Sequence, residues 1–412
     1  MSRPGVFYQK RIVLGVTGGI AAYKAATVCS RLVQAGAWVD VVMTEAAQKF
    51  ISPLTFQALT HRPVYTDMFH IPDGNNIPHI VLADSSDLLI IAPATANTIG
   101  KMANGLADNL LTAIAMATPA PILLAPAMET DMWQHPATQS NITKLREWGV
   151  EVVGPAAGRL ASGAMGQGRL VEPDEIVGAA QMVLARQGDL AGKHVVVSAG
   201  GTREAIDPVR FVSNHSSGKM GYAIAEAARD RGARVTLVTS AVLSAPFGVE
   251  VVQVDSAREM LAAVLEATEQ AEALVMSAAV ADFRPMSVAE QKIKKKGDSG
   301  GMVLELVRNP DILAEVAARK SSGSGPQVTV GFAAETEDLL ANAQSKLERK
   351  KLDLIAANDV TATDAGFAVD TNRVTLLRID GSVEELPLMT KRDVADAILD
   401  QVVQLLATRT RA

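Results

Sequence analysis

Short apolar runs alternate with longer amphipathic stretches through the first 190 residues of the chain. Runs rich in valine, leucine and isoleucine predict strands at residues 11–17, 39–44, 88–94, 121–126 and 151–153. Small-residue or periodic stretches between them predict helices, for example at residues 21–35, 108–117, 136–148 and 174–186. Strands that alternate with helices are typical of parallel βαβ units.

A glycine-containing break at residues 187–193 separates this series from a second one. There, strands are predicted at residues 194–199, 234–239, 250–254, 273–278, 327–332 and 352–356. Two more, at 372–379 and 383–388, flank Asp380-Gly381, a strong hairpin-turn signal. We therefore predict two Rossmann-like α/β domains, residues 1–190 and 191–412. Residues 321–327 and 294–301 are predicted loops, and the second could close over a ligand.

The amino-acid composition and charge indicate which broad class of protein this chain belongs to. Hydrophobic residues make up 48% and charged residues 20% of the 412 residues, as in ordinary globular proteins. The formal net charge of −6 gives no case for nucleic-acid binding. The start of the chain lacks the apolar core of a secretory signal, and no apolar run is long enough to span a bilayer. We expect a cytoplasmic protein that binds neither nucleic acid nor membrane.

Candidate chemistry in the first half lies where predicted strands end. A Thr-Gly-Gly turn, at residues 17–19, opens a helix, and its backbone N–H groups can approach a phosphate. On its own, such a turn could equally be a tight connection without a ligand. Unusual residues also follow later strands, in the motifs PATANT (93–98), NGLADNLL (104–111) and PAMETDMW (126–133). Open α/β sheets bind ligands at the carboxyl ends of their strands.

Taken together, TGGIAAYK, PATANT, PAMETDMW and a histidine ahead of the third main strand resemble the flavin-dependent cysteine decarboxylases over residues 11–185. The resemblance implies a flavodoxin-like FMN domain whose phosphate and isoalloxazine contacts come from Gly18, Gly19, Thr44, Thr95 and Asn97. It also implies that His79 is catalytic, because a neutral imidazole can take up a proton during thiol oxidation. Members of that family form trimers with the active site between subunits, so His79 could serve a neighbouring chain.

Two positions depart from that family's pattern. Glu129 stands where the family has an asparagine that helps to bind the substrate carboxylate, and Ser162 stands where it has a proton-donating cysteine. Glu129 and Met132 are predicted substrate contacts. In the favoured interpretation Ser162, Glu129 or a bound water supplies the proton, and decarboxylation persists. In the other, the domain binds FMN without catalysing the reaction. The single cysteine, Cys29, is predicted to pack in the first helix.

The second half carries another glycine-containing turn at residues 198–202, followed by SNHSSGKMG at 213–221. This is not the Walker pattern, because the required first glycine is missing. Further on come AAVADF (278–283), KIKKK (292–296), NPDI (309–312) and GFAAET (331–336). Taken singly, the lysines could form a solvated face and Asp311 could be a helix cap. A nicotinamide oxidoreductase is disfavoured, because neither Gly-Gly turn has the full GxGxxG fingerprint.

Together these motifs resemble the phosphopantothenate–cysteine ligase domain over about residues 192–405, and the whole chain resembles the bacterial bifunctional family of coenzyme A biosynthesis. The resemblance implies that the carboxylate of 4'-phosphopantothenate attacks the α-phosphate of CTP, and that the amine of L-cysteine then attacks the acyl-cytidylate. Decarboxylation with FMN would give 4'-phosphopantetheine. Mg²⁺ is expected with the triphosphate, although its ligands are unknown. The family also implies a homo-oligomer built from trimers and dimers.

The resemblance assigns roles to single residues of the second half. Lys292 matches a contact to the α-phosphate, and Asn214 matches a residue that holds phosphopantothenate or its activated form. Both are therefore predicted to be catalytic. The remaining predicted CTP contacts are Met276, Ser277, Ala278, Asp282, Asn309, Pro310, Asp311, Ile312, Phe332, Lys346 and Lys350.

Overall fold

The structure is a computed structural model that describes residues 5–69, 77–294, 302–335, 339–359 and 370–409. The chain forms two compact units, the first spanning Pro4–Arg186 and the second mainly Gln187–Ala412. All but the first residue of the predicted loop at 294–301 lies outside the described residues, as does Thr336 at the end of the GFAAET motif.

The first unit combines a sheet, its flanking helices and a small hairpin. Its strands are β1 Arg11–Val16, β2 Trp38–Met43, β3 Val64–Tyr65, β4 Leu88–Ala94, β5 Ile122–Pro126, β6 Glu151–Val152, β7 Ala156–Arg159 and β8 Met165–Arg169. Its helices are α1 Ala22–Gln34, α2 Pro53–Thr60, α3 Pro78–Ser85, α4 Ala96–Ala103, α5 Leu110–Ala117, α6 Thr130–Gln134, α7 Pro136–Glu147 and α8 Pro173–Ala185. The strands and helices predicted for this half are present, with their ends shifted by no more than two residues.

The strand order of the first sheet is β3-β2-β1-β4-β5-β6, and its paired strands run parallel. This is the dinucleotide-binding order 3-2-1-4-5-6, and without the short edge strand β3 it becomes the flavodoxin order 2-1-3-4-5. The predicted α/β fold is therefore confirmed. The winding reverses between β1 and β4, so a ligand crevice is expected at the carboxyl ends of these two strands.

Both faces of this sheet are covered, which explains why its strands are almost uninterruptedly apolar. Ile12 and Leu14 of β1 pack with residues of α1 and α8 in one core. Val13, between them, belongs to a second core with residues of α5 and α7. Cys29 of α1 is fully buried in the first core, as the sequence predicted.

The second unit contains a larger sheet with helices and several short hairpins. Its strands are β9 His194–Ala199, β10 Arg203–Ala205, β11 Phe211–Ser213, β12 Arg234–Thr239, β13 Glu250–Gln253, β14 Ala273–Met276, β15 Phe283–Pro285, β16 Leu306–Arg308, β17 Val328–Glu335, β18 Leu354–Asp359, β19 Thr371–Asn372, β20 Val374–Arg378, β21 Val383–Glu385 and β22 Met389–Thr390. Its helices are α9 Lys219–Asp230, α10 Ala257–Ala267, α11 Ile312–Ser321, α12 Leu339–Arg349 and α13 Lys391–Arg409.

The second sheet has the order β13-β12-β9-β14-β17-β18-β20-β21. Its first six strands repeat the dinucleotide-binding order and are parallel, whereas β20 and β21 are antiparallel additions. The hairpin predicted at Asp380-Gly381 is confirmed, and Gly381 has the positive φ of +85° that its turn requires. The hairpins β10–β11 and β15–β16 were not predicted from the sequence.

Alternating residues of β9 enter different cores of the second unit. Val195 and Val197 pack with residues of α9 and α13, whereas Val196 packs with residues of α10 and α11. The sheet is thus covered on both faces by helices, like the first one. Within the described ranges, no helix has both the length and the apolar character that a membrane span requires.

Candidate active sites in the two units

The first unit has a cleft of about 1150 Å³ at the carboxyl ends of its central strands. Its walls come from the segments that follow β1, β2, β4 and β5 and from the β7–β8 hairpin. The structure brings together in this cleft the residues predicted to contact FMN and substrate, which are Gly18, Gly19, Thr44, Thr95, Asn97, Glu129 and Met132. Their roles remain predictions, but their common location is that expected from the topology.

Thr17 links two walls of this cleft and was not predicted as a site residue. Its side chain is buried, and its hydroxyl donates to the carbonyl of Pro93 at 2.6 Å. The same hydroxyl oxygen accepts from the backbone N–H of Thr95 at 3.1 Å. Thr17 therefore joins the end of β1 to the end of β4. The sequence signal that could have identified Thr17 is its position as a hydroxyl residue between an apolar strand and the Gly-Gly turn.

The glycine turn after β1 is close to the segment that follows β2. A β-carbon on Gly18 would lie 2.4 Å from the Cβ of Ala46, whereas one on Gly19 would meet only the Cγ2 of Thr95, at 4.0 Å. Helix α1 begins just beyond, and its N-cap residue Ala21 makes no side-chain capping bond. In this first turn the N–H groups of Ala22 and Lys24 donate to the carbonyls of Gly19 and Ala21, at 2.9 and 3.0 Å. The helix dipole favours an anion at this end of α1.

Several charged side chains of the cleft already pair with one another. Lys24 and Arg169 contact Glu172 at 3.0 and 2.6 Å, and Lys101 contacts Asp108 at 2.7 Å. The hydrogen bond from Lys24 lowers the pKa of Glu172, and the bond from Lys101 lowers the pKa of Asp108. These cations are therefore partly neutralised before any ligand binds.

The two positions that depart from the family pattern are in direct contact. Ser162 lies in the turn between β7 and β8, and its hydroxyl donates to a carboxylate oxygen of Glu129 at 2.9 Å. The hairpin is held there because the N–H of Met128 donates to the carbonyl of Gly168 at 2.9 Å. A β-carbon on Gly168 would lie 2.2 Å from the carbonyl oxygen of Met128, so this approach requires glycine. Glu129 lines the cleft, and Ser162 contacts it from the turn of the hairpin.

The structure does not bring His79 into the cleft formed by its own chain. His79 lies in the first turn of α3, and its Nδ1 is buried without a hydrogen-bond partner among the described residues. The segment before it, residues 70–76, lies outside the described residues. That His79 acts on the flavin of a neighbouring chain therefore stays a prediction.

Cys29 is too buried to act as a substitute proton donor. It is fully enclosed in α1, and burial raises the pKa of its thiol to about 12. A thiol this enclosed neither reaches the cleft nor exchanges protons readily with it. Cys29 is therefore excluded as the proton donor.

The predicted site of the second unit lies at the carboxyl ends of β9 and β14. The N–H of Ala278 donates to the hydroxyl of Ser198 at 3.1 Å, which joins these two strand ends. The amide of Asn214 donates to the carbonyl of Val280 at 3.1 Å, so Asn214 lies beside the AAVADF segment. Gly200, with a φ of +86°, allows the turn after β9 to form. The second Gly-Gly turn, Asn214 and AAVADF thus form one surface.

The NPDI segment also joins this surface. The side chain of Asn309 donates to the carbonyl of Ala281 at 2.8 Å, and its N–H donates to the carbonyl of Asp282 at 2.8 Å. Asp282 itself is exposed, and next to it Phe283 pairs in β15 with Arg308 of β16. Met276 and Ile312 have their side chains in a hydrophobic core, so only their backbone can reach a nucleotide. Ser277, directly after β14, and Pro310, in the NPDI segment, are both half-buried.

Asp311 is the N-cap of α11 and accepts from the N–H of Ala314 at 3.2 Å, so the cap interpretation is confirmed. It also forms an ion pair with Lys350. Burial by itself raises the pKa of Asp311, but the hydrogen bond from Lys350 and the capping bond outweigh it and keep that pKa below its usual range. Lys346 donates to the carbonyl of Phe332 at 2.7 Å. Neither lysine therefore belongs to a merely solvated helix face.

Lys292 is exposed on a loop. The backbone of the next residue, Ile293, is hydrogen-bonded to Asp207 and Arg210 in the 206–210 turn. Across the residues that the structure describes, no group of three or more histidine, cysteine or carboxylate side chains could hold a metal ion.

Comparison with known proteins agrees with this division. A family model described as DNA/pantothenate metabolism flavoprotein C-terminal domain matches residues 190–406, and a Flavoprotein model matches residues 5–185. The Bacillus subtilis "Coenzyme A biosynthesis bifunctional protein CoaBC" is 50% identical over 96% of this chain and 97% of its own length. The protein of the same name from Mycobacterium tuberculosis is 47% identical over 97% of each chain. A crystal structure of a CoaBC C-terminal domain is 41% identical, covering 54% of this chain and 99% of its own, with a TM-score of 0.45.

Proposed function

Since the chain belongs to the family of bifunctional coenzyme A biosynthesis proteins, we propose that it carries out two consecutive reactions. The second unit joins 4'-phosphopantothenate to L-cysteine with CTP, and the first unit decarboxylates phosphopantothenoylcysteine to 4'-phosphopantetheine with FMN. The observation that carries the proposal is the similarity to such a protein at 50% identity across 96% of the chain. The cleft of the first unit and the joined strand ends of the second provide a separate site for each reaction.

The ligase reaction needs charge neutralisation more than acid–base groups. An oxygen of the phosphopantothenate carboxylate attacks the α-phosphorus of CTP, and pyrophosphate leaves. The amine of cysteine then attacks the acyl carbon, and CMP leaves. Lys292 stabilises the charge that develops at the α-phosphate, and Lys346 and Lys350 hold the rest of the nucleotide. Because Lys350 pairs with Asp311 before any ligand binds, the phosphate competes with that carboxylate for the ammonium group.

The residues of the first cleft fit FMN. The turn at Gly18 and the uncapped first turn of α1 suit its phosphate, and the hydroxyl and amide groups of Thr95 and Asn97 suit its ring. When bound, FMN supplies the oxidation of the cysteinyl carbon–sulfur unit that lets CO₂ depart, and the matching reduction. The chain's own task is to hold the substrate against Met132 and to return a proton at the end.

The Glu129–Ser162 pair supplies that proton in the favoured interpretation. A serine hydroxyl alone is a much weaker acid than a thiol. The contact of 2.9 Å joins the carboxyl group to the hydroxyl, so a proton can reach the substrate from Glu129 directly or by way of Ser162. The second candidate function, a ligase fused to a non-catalytic flavin domain, is favoured only by these same two departures.

The deciding experiment mixes purified protein with phosphopantothenate, cysteine, CTP and Mg²⁺ and follows the products by mass spectrometry. Phosphopantetheine and CO₂ are the expected products. Phosphopantothenoylcysteine alone would reject the decarboxylase and leave a working ligase.

Lys292→Gln is expected to abolish acyl-cytidylate formation, whereas Lys294→Gln, two residues away on the same loop, is the matched control. Equal turnover in these two variants would contradict the role of Lys292.

A cytoplasmic location, assembly from trimers and dimers, and Mg²⁺ delivered with CTP belong to the same proposal. Their support is the resemblance to the family and the small-molecule nature of the substrates. Size-exclusion chromatography with light scattering tests the assembly, and omission of Mg²⁺ from the ligase assay tests the metal.

A further inference from the structure

Asp207, in the turn between β10 and β11, has a buried side chain that accepts hydrogen bonds from five donors. One of its oxygens accepts from the backbone N–H groups of Val209 and Arg210, both at 2.9 Å. The other accepts from the guanidinium of Arg210 at 3.0 and 2.5 Å, and from the N–H of Ile293 at 3.1 Å. The last of these bonds spans 86 residues of sequence, and it reaches the residue next to Lys292.

Arg210 completes the hold on Ile293. Its guanidinium, already bonded to Asp207, also donates to the carbonyl of Ile293 at 2.8 Å. Both backbone polar groups of Ile293 are therefore bound to the Asp207–Arg210 pair. The N–H of Ala289 donates to the carbonyl of Ile206 at 3.0 Å, which attaches the same loop to the same turn a few residues earlier. Lys292 lies between these two attachments.

Hydrophobic packing does not hold this loop. Ile293 is 37% exposed and belongs to none of the hydrophobic cores formed by the described residues. The described part of the loop, residues 286–294, contains no helix or strand. The hydrogen bond from Arg210 is the first cause that keeps the pKa of Asp207 far below its usual range, and the three backbone N–H bonds add to it against the effect of burial. Asp207 therefore remains a carboxylate at any physiological pH.

We propose that Asp207 is a positioning residue for Lys292: together with Arg210 it clamps the backbone of Ile293 and so fixes where the Lys292 ammonium meets the CTP triphosphate. The inference rests on the proposed role of Lys292. A lysine side chain has four rotatable bonds, so a mobile backbone beneath it would spread its charge over many positions. The clamp limits that spread before CTP binds, in the way that preorganisation aids electrostatic stabilisation.

The test replaces Asp207 with asparagine in the full-length protein. If the amide oxygen keeps its bonds to Val209 and Arg210, the amide nitrogen faces the N–H of Ile293 and the guanidinium, which are both donors. The variant thus loses the hydrogen bonds that clamp Ile293 and keeps those within the 206–210 turn. The control is Asp255→Asn, because Asp255 is an exposed carboxylate whose ion-pair partner, Arg203 at 3.7 Å, lies outside the loop.

Calorimetry then measures CTP binding to five proteins: wild type, Asp207→Asn, Lys292→Gln, the double variant and the control Asp255→Asn. We expect Asp207→Asn to weaken CTP binding about tenfold in the wild-type background and to have no further effect in the Lys292→Gln background. The KM for CTP should rise by a similar factor, while the KM for cysteine stays unchanged. Asp255→Asn should behave as wild type in both measurements.

Three results would overturn the clamp. Asp207→Asn could bind CTP as tightly as wild type, its effect could be equally large in the Lys292→Gln background, or the KM for cysteine could rise in parallel. A Lys292→Gln protein that binds and turns over CTP normally would instead overturn the role of Lys292, and the clamp's purpose with it. If Asp207→Asn does not fold, Arg210→Lys takes its place in the same cycle, because it keeps the charge but cannot bond Asp207 and the Ile293 carbonyl with one planar fork.

Discussion

The hydroxyl of Thr17 offers a sharp test of how the flavin cleft is built. Thr17→Val keeps the shape of the side chain and removes one oxygen. That oxygen is bonded to the carbonyl of Pro93 at 2.6 Å and to the N–H of Thr95 at 3.1 Å, inside a residue only 1% exposed. Both backbone groups would lose this partner in a place that water cannot readily reach.

Leaving a buried polar group without a partner costs about 1 to 2 kcal/mol, so two such groups predict a loss of about 2 to 4 kcal/mol in the unfolding free energy of the first unit. For a unit of this size that loss corresponds to a fall of roughly 5 to 15 °C in its unfolding temperature. Flavin binding should weaken as well, because Thr95 and the Gly18 turn are held in register by the same oxygen.

The assay follows flavin fluorescence during heating of the full-length protein, since release of the flavin reports unfolding of the first unit. Thr17→Ser is the matched control, because it keeps the oxygen and loses only a methyl group. It should remain closer to wild type than Thr17→Val. A Thr17→Val protein that unfolds within about 2 °C of wild type and retains its flavin would refute the claim that this oxygen joins the two strand ends.

Three further predictions concern the same unit. Gly18→Ala should lower flavin affinity at least about tenfold, as measured by flavin absorbance after dialysis, because a β-carbon there would lie 2.4 Å from a neighbouring Cβ. Gly19→Ala, whose nearest contact is at 4.0 Å, should bind normally, and equal losses would contradict the argument. Glu129→Gln should make the oxidised enethiol accumulate in the product mixture, whereas unchanged phosphopantetheine formation would assign the proton to another donor. With a pKa of about 12, the thiol of Cys29 stays protonated at neutral pH, so it should resist a thiol reagent until denaturant is added. Rapid labelling of the native protein would contradict its burial.

The sequence by itself determined the layered architecture. Strands β9 and β12 begin and end at the predicted residues, because each is a short run rich in β-branched residues, HVVVSA and RVTLVT. The hairpin at Asp380-Gly381 was equally predictable, since a positive φ at the glycine depends on local chemistry alone. The short strands β7 and β8 escaped prediction, because their sequences, AAGR and MGQGR, contain few β-favouring residues. Their position depends on contact with the turn after β5.

Only the tertiary structure decided which of the candidate residues contact one another. The contact between Glu129 and Ser162, the ion pair between Lys350 and Asp311, and the attachment of Ile293 to Asp207 join residues 33, 39 and 86 positions apart. Local patterns carry no information about such pairs, because strand order and loop packing determine which distant segments become neighbours. The sequence therefore predicted the chemical groups of both candidate sites, whereas the folded chain determined which of those groups are already paired with one another.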